Sequence, residues 1–160
     1  MIFRDQWQEL KSHCRSRNIR LLGDIPMYVA YDSADVWSNR DIFTLNDNGS
    51  MSEMAGVPPN IFNDDGQLWG MPLFRWDVLK ESSYQWWIDR LNNNFKYFDM
   101  LRLDHFRGFS SYWSVAAEAS TAKSGKWISG PGKKLFVAIK HSLAQIELIA
   151  EDLGEIDESV

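Results

Sequence analysis

Cysteine is almost missing from this sequence: Cys14 stands alone, so the chain can hold no internal disulfide and no cysteine-based zinc centre. Basic charge is also short. Seventeen Lys and Arg face 22 Asp and Glu, for a formal net charge of −5 and a pI near 5.1. A phosphate backbone demands clustered cations, and no basic patch exists here, which excludes a nucleic-acid partner. No apolar run reaches the roughly 20 residues of a membrane span, and the opening MIFRDQWQEL has no signal-peptide core. A reducing compartment, with the cytoplasm as the default, is the expectation. His13, His105 and His141 lack metal-ligand spacing. The turn SGPG at 129–132 is not followed by the residues of a phosphate loop, and GxSxG is absent. Neither a metal nor a cofactor is expected.

What is present is a chain of 160 residues with 44% hydrophobic content, enough for one core. Aromatic residues make up 14%, including 8 Trp. Large rings fill cores, and that use accounts for most of them; flat exposed rings also suit the apolar faces of sugars. Composition alone leaves both uses open.

Periodicity predicts a unit of helix followed by short apolar strand, occurring three times. Residues 5–17, with Phe3 just before them, place Phe3, Trp7, Leu10 and Cys14 at helical spacing, Asn18 offers a stop, and IRLLGDIP follows. Ser83 is placed to cap a second helix carrying Trp87, Leu91, Phe95 and Phe98, which leads to MLRLDH. A third starts near Lys134, carries Leu135, Ile139, Leu143 and Ile146, and runs into ELIAEDLG. Amphipathic helices alternating with short apolar strands predict an α/β fold with buried parallel strands. Residues 27–82 form a long connection rich in Asn, Asp, Gly and Pro, expected to be a lid or a small inserted subdomain. A shorter excursion covers residues 109–132.

The strand ends read GDIP, LDHFRG and AEDLG, and each carries an acid: Asp24, Asp104 and Glu151. Parallel strands would bring these carboxylates to one rim, where α/β folds keep their active sites. A retaining glycosidase needs two carboxylates across a scissile bond, one to attack and one to donate a proton. Arg102, two residues before Asp104, points to the same side of its strand and can hold that carboxylate ionised. Plainer readings stand beside these: an Asp after a strand often forms a cap or turn, and an Arg next to an Asp is often an inconsequential ion pair.

The motifs GDIPMYVAYDSADVW, AGVPPNIF, GQLWGMPLFRWD, LRLDHFRGF and IAEDLG, in this order, resemble the 4-alpha-glucanotransferases known as amylomaltases or disproportionating enzymes, glycoside hydrolase family 77. The resemblance implies a (β/α)8 barrel, of which this chain would supply about strands three to five, and metal-free transfer of α-1,4-glucan segments between maltooligosaccharides. It also implies that Asp104 is the nucleophile, Glu151 the general acid/base, Arg102 the arginine beside the nucleophile and Asp24 a donor-sugar contact. Gln67 and Trp69 match loop residues near the cleft, and VPPNIF matches a lid. Tyr28 and His105, in the same motifs, join the expected substrate contacts. Asn60 and Ile61 stand where the family's lid often has Asp and Tyr, which removes a charge and a ring. Family members are longer and carry a third essential Asp beyond the strands represented here. The 160 residues alone are therefore expected to be a fragment without transferase activity, dependent on the rest of the barrel. Two rival readings are a plain α-glucan hydrolase with the same carboxylates and a non-catalytic glucan-binding piece in which Trp69, Trp37 and Tyr28 stack on sugar.

Overall fold

A computed structural model describes residues 2–154 and 156–160. In chain order the elements are α1 (Ile2–Arg15), β1 (Leu22–Ile25), α2 (Ala34–Ser38), β2 (Glu53–Val57), β3 (Gln67–Pro72), α3 (Trp76–Glu81), α4 (Gln85–Phe95), β4 (Met100–Leu103), β5 (Ser111–Ala116), β6 (Gly125–Ser129), α5 (Lys133–Ser142) and β7 (Leu148–Ala150). Strands β1, β4 and β7 form a parallel sheet in the order β1-β4-β7, each reached through a helix. The other four strands form an antiparallel sheet, β3-β2-β5-β6. The protein is a mixed α/β structure with both kinds of sheet.

Helix α1 stops where its sequence says it should. Asn18 takes a left-handed conformation, φ 57°, the Asn18 N–H donates to the Arg15 carbonyl at 3.1 Å, and the Ile19 N–H reaches the Cys14 carbonyl at 2.9 Å. This double closure satisfies carbonyls that a helix end otherwise leaves bare. Lys11, buried on the inner face of α1, points its ammonium at the far end of α4 and donates to the Phe98 carbonyl at 3.1 Å and the Lys96 carbonyl at 3.4 Å. A cation there complements the negative end of α4, and the Trp7 indole N–H, donating to the Tyr97 carbonyl at 2.9 Å, adds a second tie.

Ser83 does not cap α4. Its N–H donates to the Lys80 carbonyl at 2.9 Å, and the Tyr84 N–H donates to the Leu79 carbonyl at 2.7 Å. Ser83 thus occupies the left-handed position that closes α3, with φ 53°, and α4 begins after it with no side-chain cap. The sequence pattern failed here because α3 runs into α4 almost without a linker, so one residue serves the end of the first helix and cannot serve the start of the second. Trp87 and Leu91 are buried as expected, while Phe95 and Phe98 sit at the edge of the core. Helix α5 ends at Ser142, earlier than the apolar spacing suggested; Leu143 and Ile146 pack on the core from the turn beyond it.

The residues between 27 and 82 contain α2, β2, β3 and α3, and the shorter excursion contains β5 and β6. The two excursions are zipped together by β2 and β5, with Glu53 opposite Ala116 and Gly56 opposite Trp113. One core joins the two sheets: Phe43, Leu73, Leu79, Trp87, Leu101, Leu103, Phe109 and Leu135 are almost fully buried in it. The Phe74 ring meets Phe43, Trp76, Trp86 and Trp87 at centroid distances of 5.1 to 5.5 Å. Most of the aromatic content is therefore packing.

Candidate active site

The register of the parallel sheet builds the site. Asp24 lies opposite Arg102, and Arg102 opposite Ile149. The ladder continues one bond past the strands: the Asp104 N–H donates to the Ile25 carbonyl at 2.9 Å and the Glu151 N–H to the Leu103 carbonyl at 3.1 Å. Along β4, Leu101 and Leu103 point into the core while Arg102 is left facing the rim. The three acids and the arginine accordingly end up at one edge.

Arg102 ties them together. Its Nη1 donates to both Asp24 carboxylate oxygens, each at 2.8 Å. Its Nη2 donates to Asp104 Oδ1 at 3.0 Å and also to Glu151 Oε1. The hydrogen bond to Asp24 and the field of the three carboxylates raise the Arg102 pKa above its ordinary value, so the group is a permanent cation. One planar fork offsets the mutual repulsion of three carboxylates in a way a point charge cannot. Because Asp104 and Glu151 share a single donor nitrogen, the two bonded oxygens are no more than about 5.5 Å apart, an upper bound compatible with a retaining pair.

The carboxylates are held unequally. The Glu151 side chain is only 11% exposed, and its second oxygen accepts the His105 backbone N–H at 2.7 Å. Asp104 is 42% exposed, and among the described residues only its Oδ1 is engaged. One acid is clamped on both oxygens and the other presents a free oxygen. The His105 N–H reaches Glu151 because His105 turns left-handed directly after Asp104, with φ 52°; such a conformation is uncommon outside glycine and concentrates at functional sites.

A cavity of about 670 Å³ opens over these groups, within the range of small-molecule sites. Asp104, Glu151 and His105 line it together with Gln67 and Trp69. The Trp69 indole N–H donates to Gln67 Oε1 at 3.0 Å, and its ring meets the His105 ring edge-on at 4.8 Å. Asp24 and Arg102 do not line the cavity and join it through the ion-pair network. Tyr28 needs correction as a stacking surface: it is 4% exposed and packs between Phe74, Trp69 and His105, so it supports the wall and presents no face. Trp37 lies outside the cleft altogether.

Sequence reading missed Arg107, Trp113, Trp127 and Leu153, which also line the cavity. Arg107 lies 4.3 Å over the Trp127 ring, a cation–π contact, and 3.8 Å from Asp157. The one available signal was Trp127 within SGKWISGPG, but only the pairing of β5 with β6 brings it to the site.

The VPPNIF stretch forms the cavity mouth. Ile61 and Phe62 are each 91% exposed. Asn60 Oδ1 accepts the Phe62 N–H at 2.9 Å and the Asn63 N–H at 3.1 Å, a turn-forming task an Asp would perform equally well. The loop closes at Gly66, φ 69°, where a Cβ would stand 2.4 Å from the Val57 carbonyl oxygen, so only glycine fits.

Burial, reinforced by Arg107, lowers the His105 pKa from 6.5 to about 4, against a smaller opposing pull from Asp104. The imidazole is therefore neutral at pH 7. A folded-state pKa below the unfolded one means that the unfolded chain binds more protons between these values, so this stability is fully present above about pH 6.5 and is lost as pH falls toward 4. The loss should approach ~3 kcal/mol. It is checked by the thermal midpoint of the longer protein between pH 7.5 and 4, compared with His105→Asn, whose curve should be flatter over that interval.

Comparison with known proteins gives a consistent set of relatives. A family model described as 4-alpha-glucanotransferase, glycoside hydrolase family 77, matches residues 1–160. A 4-alpha-glucanotransferase of Clostridium butyricum is 49% identical over 157 residues, covering 98% of this chain and 32% of the relative. The chloroplastic/amyloplastic 4-alpha-glucanotransferase of Solanum tuberosum is 45% identical, with coverage of 99% and 28%. Among solved structures, the amylomaltase of Streptococcus agalactiae in complex with acarbose superposes with a TM-score of 0.93 at 45% identity, over 96% of this chain and 31% of that one. The chain thus spans about a third of the length of the relatives it matches. No helix among the described residues is long and apolar enough to cross a membrane.

Proposed function

Since the chain belongs to glycoside hydrolase family 77, the 4-alpha-glucanotransferases, we propose that it carries the nucleophile and the acid/base of a retaining enzyme that transfers α-1,4-glucan segments between maltooligosaccharides. The supporting observation is the shared Arg102 nitrogen, which keeps Asp104 and Glu151 close enough for a double-displacement pair. We assign the parallel strands to about strands three to five of a (β/α)8 barrel. The whole chain is then a partial catalytic domain with an insertion at about 27–82, and the remaining barrel strands complete the site. The cytoplasm is the proposed compartment.

In the first step a free oxygen of Asp104 attacks the anomeric carbon, the bond to the leaving O4 breaks, and Glu151 gives that oxygen its proton. Each Glu151 oxygen already accepts one hydrogen bond, and the proton takes the remaining lone pair of one of them. In the second step Glu151 takes the proton from the 4-hydroxyl of an incoming glucan, which attacks the same carbon and releases Asp104. Retention follows from two inversions. Carboxylates and sugar hydroxyls supply every reacting group, so the reaction needs no cofactor. Transfer rather than hydrolysis demands that water be kept from the covalent intermediate, a task that suits Ile61 and Phe62 at the mouth. Gln67, Trp69 and His105 are the proposed sugar contacts, with Asp24 fixing Arg102 and open to a donor-sugar hydroxyl.

Incubating the full-length enzyme with maltotriose tests the assignment. Longer oligosaccharides together with glucose are the expected products. Shorter sugars alone would make it a hydrolase, and unchanged maltotriose would reject both.

A further inference from the structure

A second cavity, of about 300 Å³, opens in the segment between β1 and β2 and shares no lining residue with the cleft. Tyr31, Asp32, Trp37, Arg40, Asn48 and Gly49 surround it. Helix α2 turns Val36 into the core and leaves Trp37 81% exposed. An indole on water is unfavourable, and exposed apolar surface beside polar groups marks interaction sites.

The floor of this cavity is built, not accidental. The Tyr31 hydroxyl donates to the Gly49 carbonyl at 2.8 Å. On the other side the Arg40 guanidinium lies so close that a Cβ on Gly49 would stand 2.0 Å from its Nη2, and Gly49 also has φ +88°. The positive φ is what calls for glycine there, since the end of the Arg40 side chain is flexible and would move aside. The turn is stiffened by the Asn46 amide donating to Ser50 Oγ at 2.9 Å and by the Ser50 N–H donating to Asn48 Oδ1 at 3.0 Å. Yet the Arg40 guanidinium makes no ion pair or hydrogen bond among the described residues.

An exposed flat ring, an unengaged planar donor and a carboxylate acceptor on Asp32 together match a pyranose, which offers an apolar face and a fringe of hydroxyls. An anion fits less well, because Asp32 lines the same cavity as Arg40. We propose that this cavity is an accessory α-glucan site that holds a stretch of a long chain remote from the cleft. It rests on the glucan chemistry assigned above.

The test uses the full-length enzyme with Trp37→Ala and, separately, Arg40→Leu. Electrophoresis through gels containing amylopectin should show retardation of wild type weakened by about tenfold in either variant. KM for long amylose should rise by a similar factor, while turnover of maltotriose stays within about twofold of wild type. Unchanged retardation overturns the proposal. So does loss of thermal stability together with maltotriose turnover, which would assign Trp37 to packing against the rest of the protein. If wild type fails to disproportionate maltotriose, the glucanotransferase reading falls; if wild type works and the variants match it on amylopectin, only the accessory site falls.

Discussion

Replacing Asp104 by Asn in the full-length enzyme should lower turnover of maltotriose by on the order of 10⁴-fold or more, the scale seen when a covalent nucleophile is removed. The change is nearly isosteric. The amide oxygen can still accept from Arg102 Nη2, so the rim should keep its geometry, but the second position becomes an amide nitrogen that cannot attack the anomeric carbon. Maltooligosaccharide binding, followed by titration calorimetry, should survive. Lost turnover with retained binding identifies Asp104 as the attacking group. Unchanged turnover would favour the non-catalytic reading, in which the carboxylates only hydrogen-bond sugar hydroxyls.

Arg102→Leu should be the next most damaging change. It removes the one cation among the described residues that contacts Asp24, Asp104 and Glu151 together, leaving three carboxylates crowded at one edge with nothing between them. The expected loss in kcat/KM is on the order of 10² to 10³-fold, with a lower thermal midpoint that recovers partly as salt is added. Arg102→Lys separates charge from shape. An ammonium keeps the charge but cannot span two Nη positions, so it should restore much of the stability and little of the rate. Were the lysine variant to match wild type in kcat, the fork geometry would have no catalytic role, and Arg102 would act as a charge alone.

The legibility of this protein varies from element to element. The three helix–strand units could be read because their cause is local: a stripe of apolar residues, a stop such as Asn18, then a short apolar run. The acids at the strand ends could be read for the same reason, and so could the shared side of Arg102 and Asp104, which follows from alternation along one strand. Ser83 was misjudged because two helices compete for it, and which helix it serves depends on how closely they follow each other. Tyr28 could pass for a sugar platform until its surroundings were known, since nothing in a tyrosine's own neighbourhood in sequence reports that Phe74, Trp69 and His105 enclose it.

By itself, then, the sequence determined the alternation of elements, the family, and the residue types available for chemistry, because each is encoded in neighbours a few positions apart. Tertiary structure alone decided three things: that β2 and β5 zip the excursions into one sheet, that Arg107 and Trp127 come to the cleft, and that one guanidinium is divided among three carboxylates. Those outcomes depend on contacts between residues well separated in sequence, 78 positions for Arg102 with Asp24, 49 for Arg102 with Glu151 and 14 for Trp113 with Trp127, whose partners are selected by the competition of the whole chain for a single core and leave no local trace.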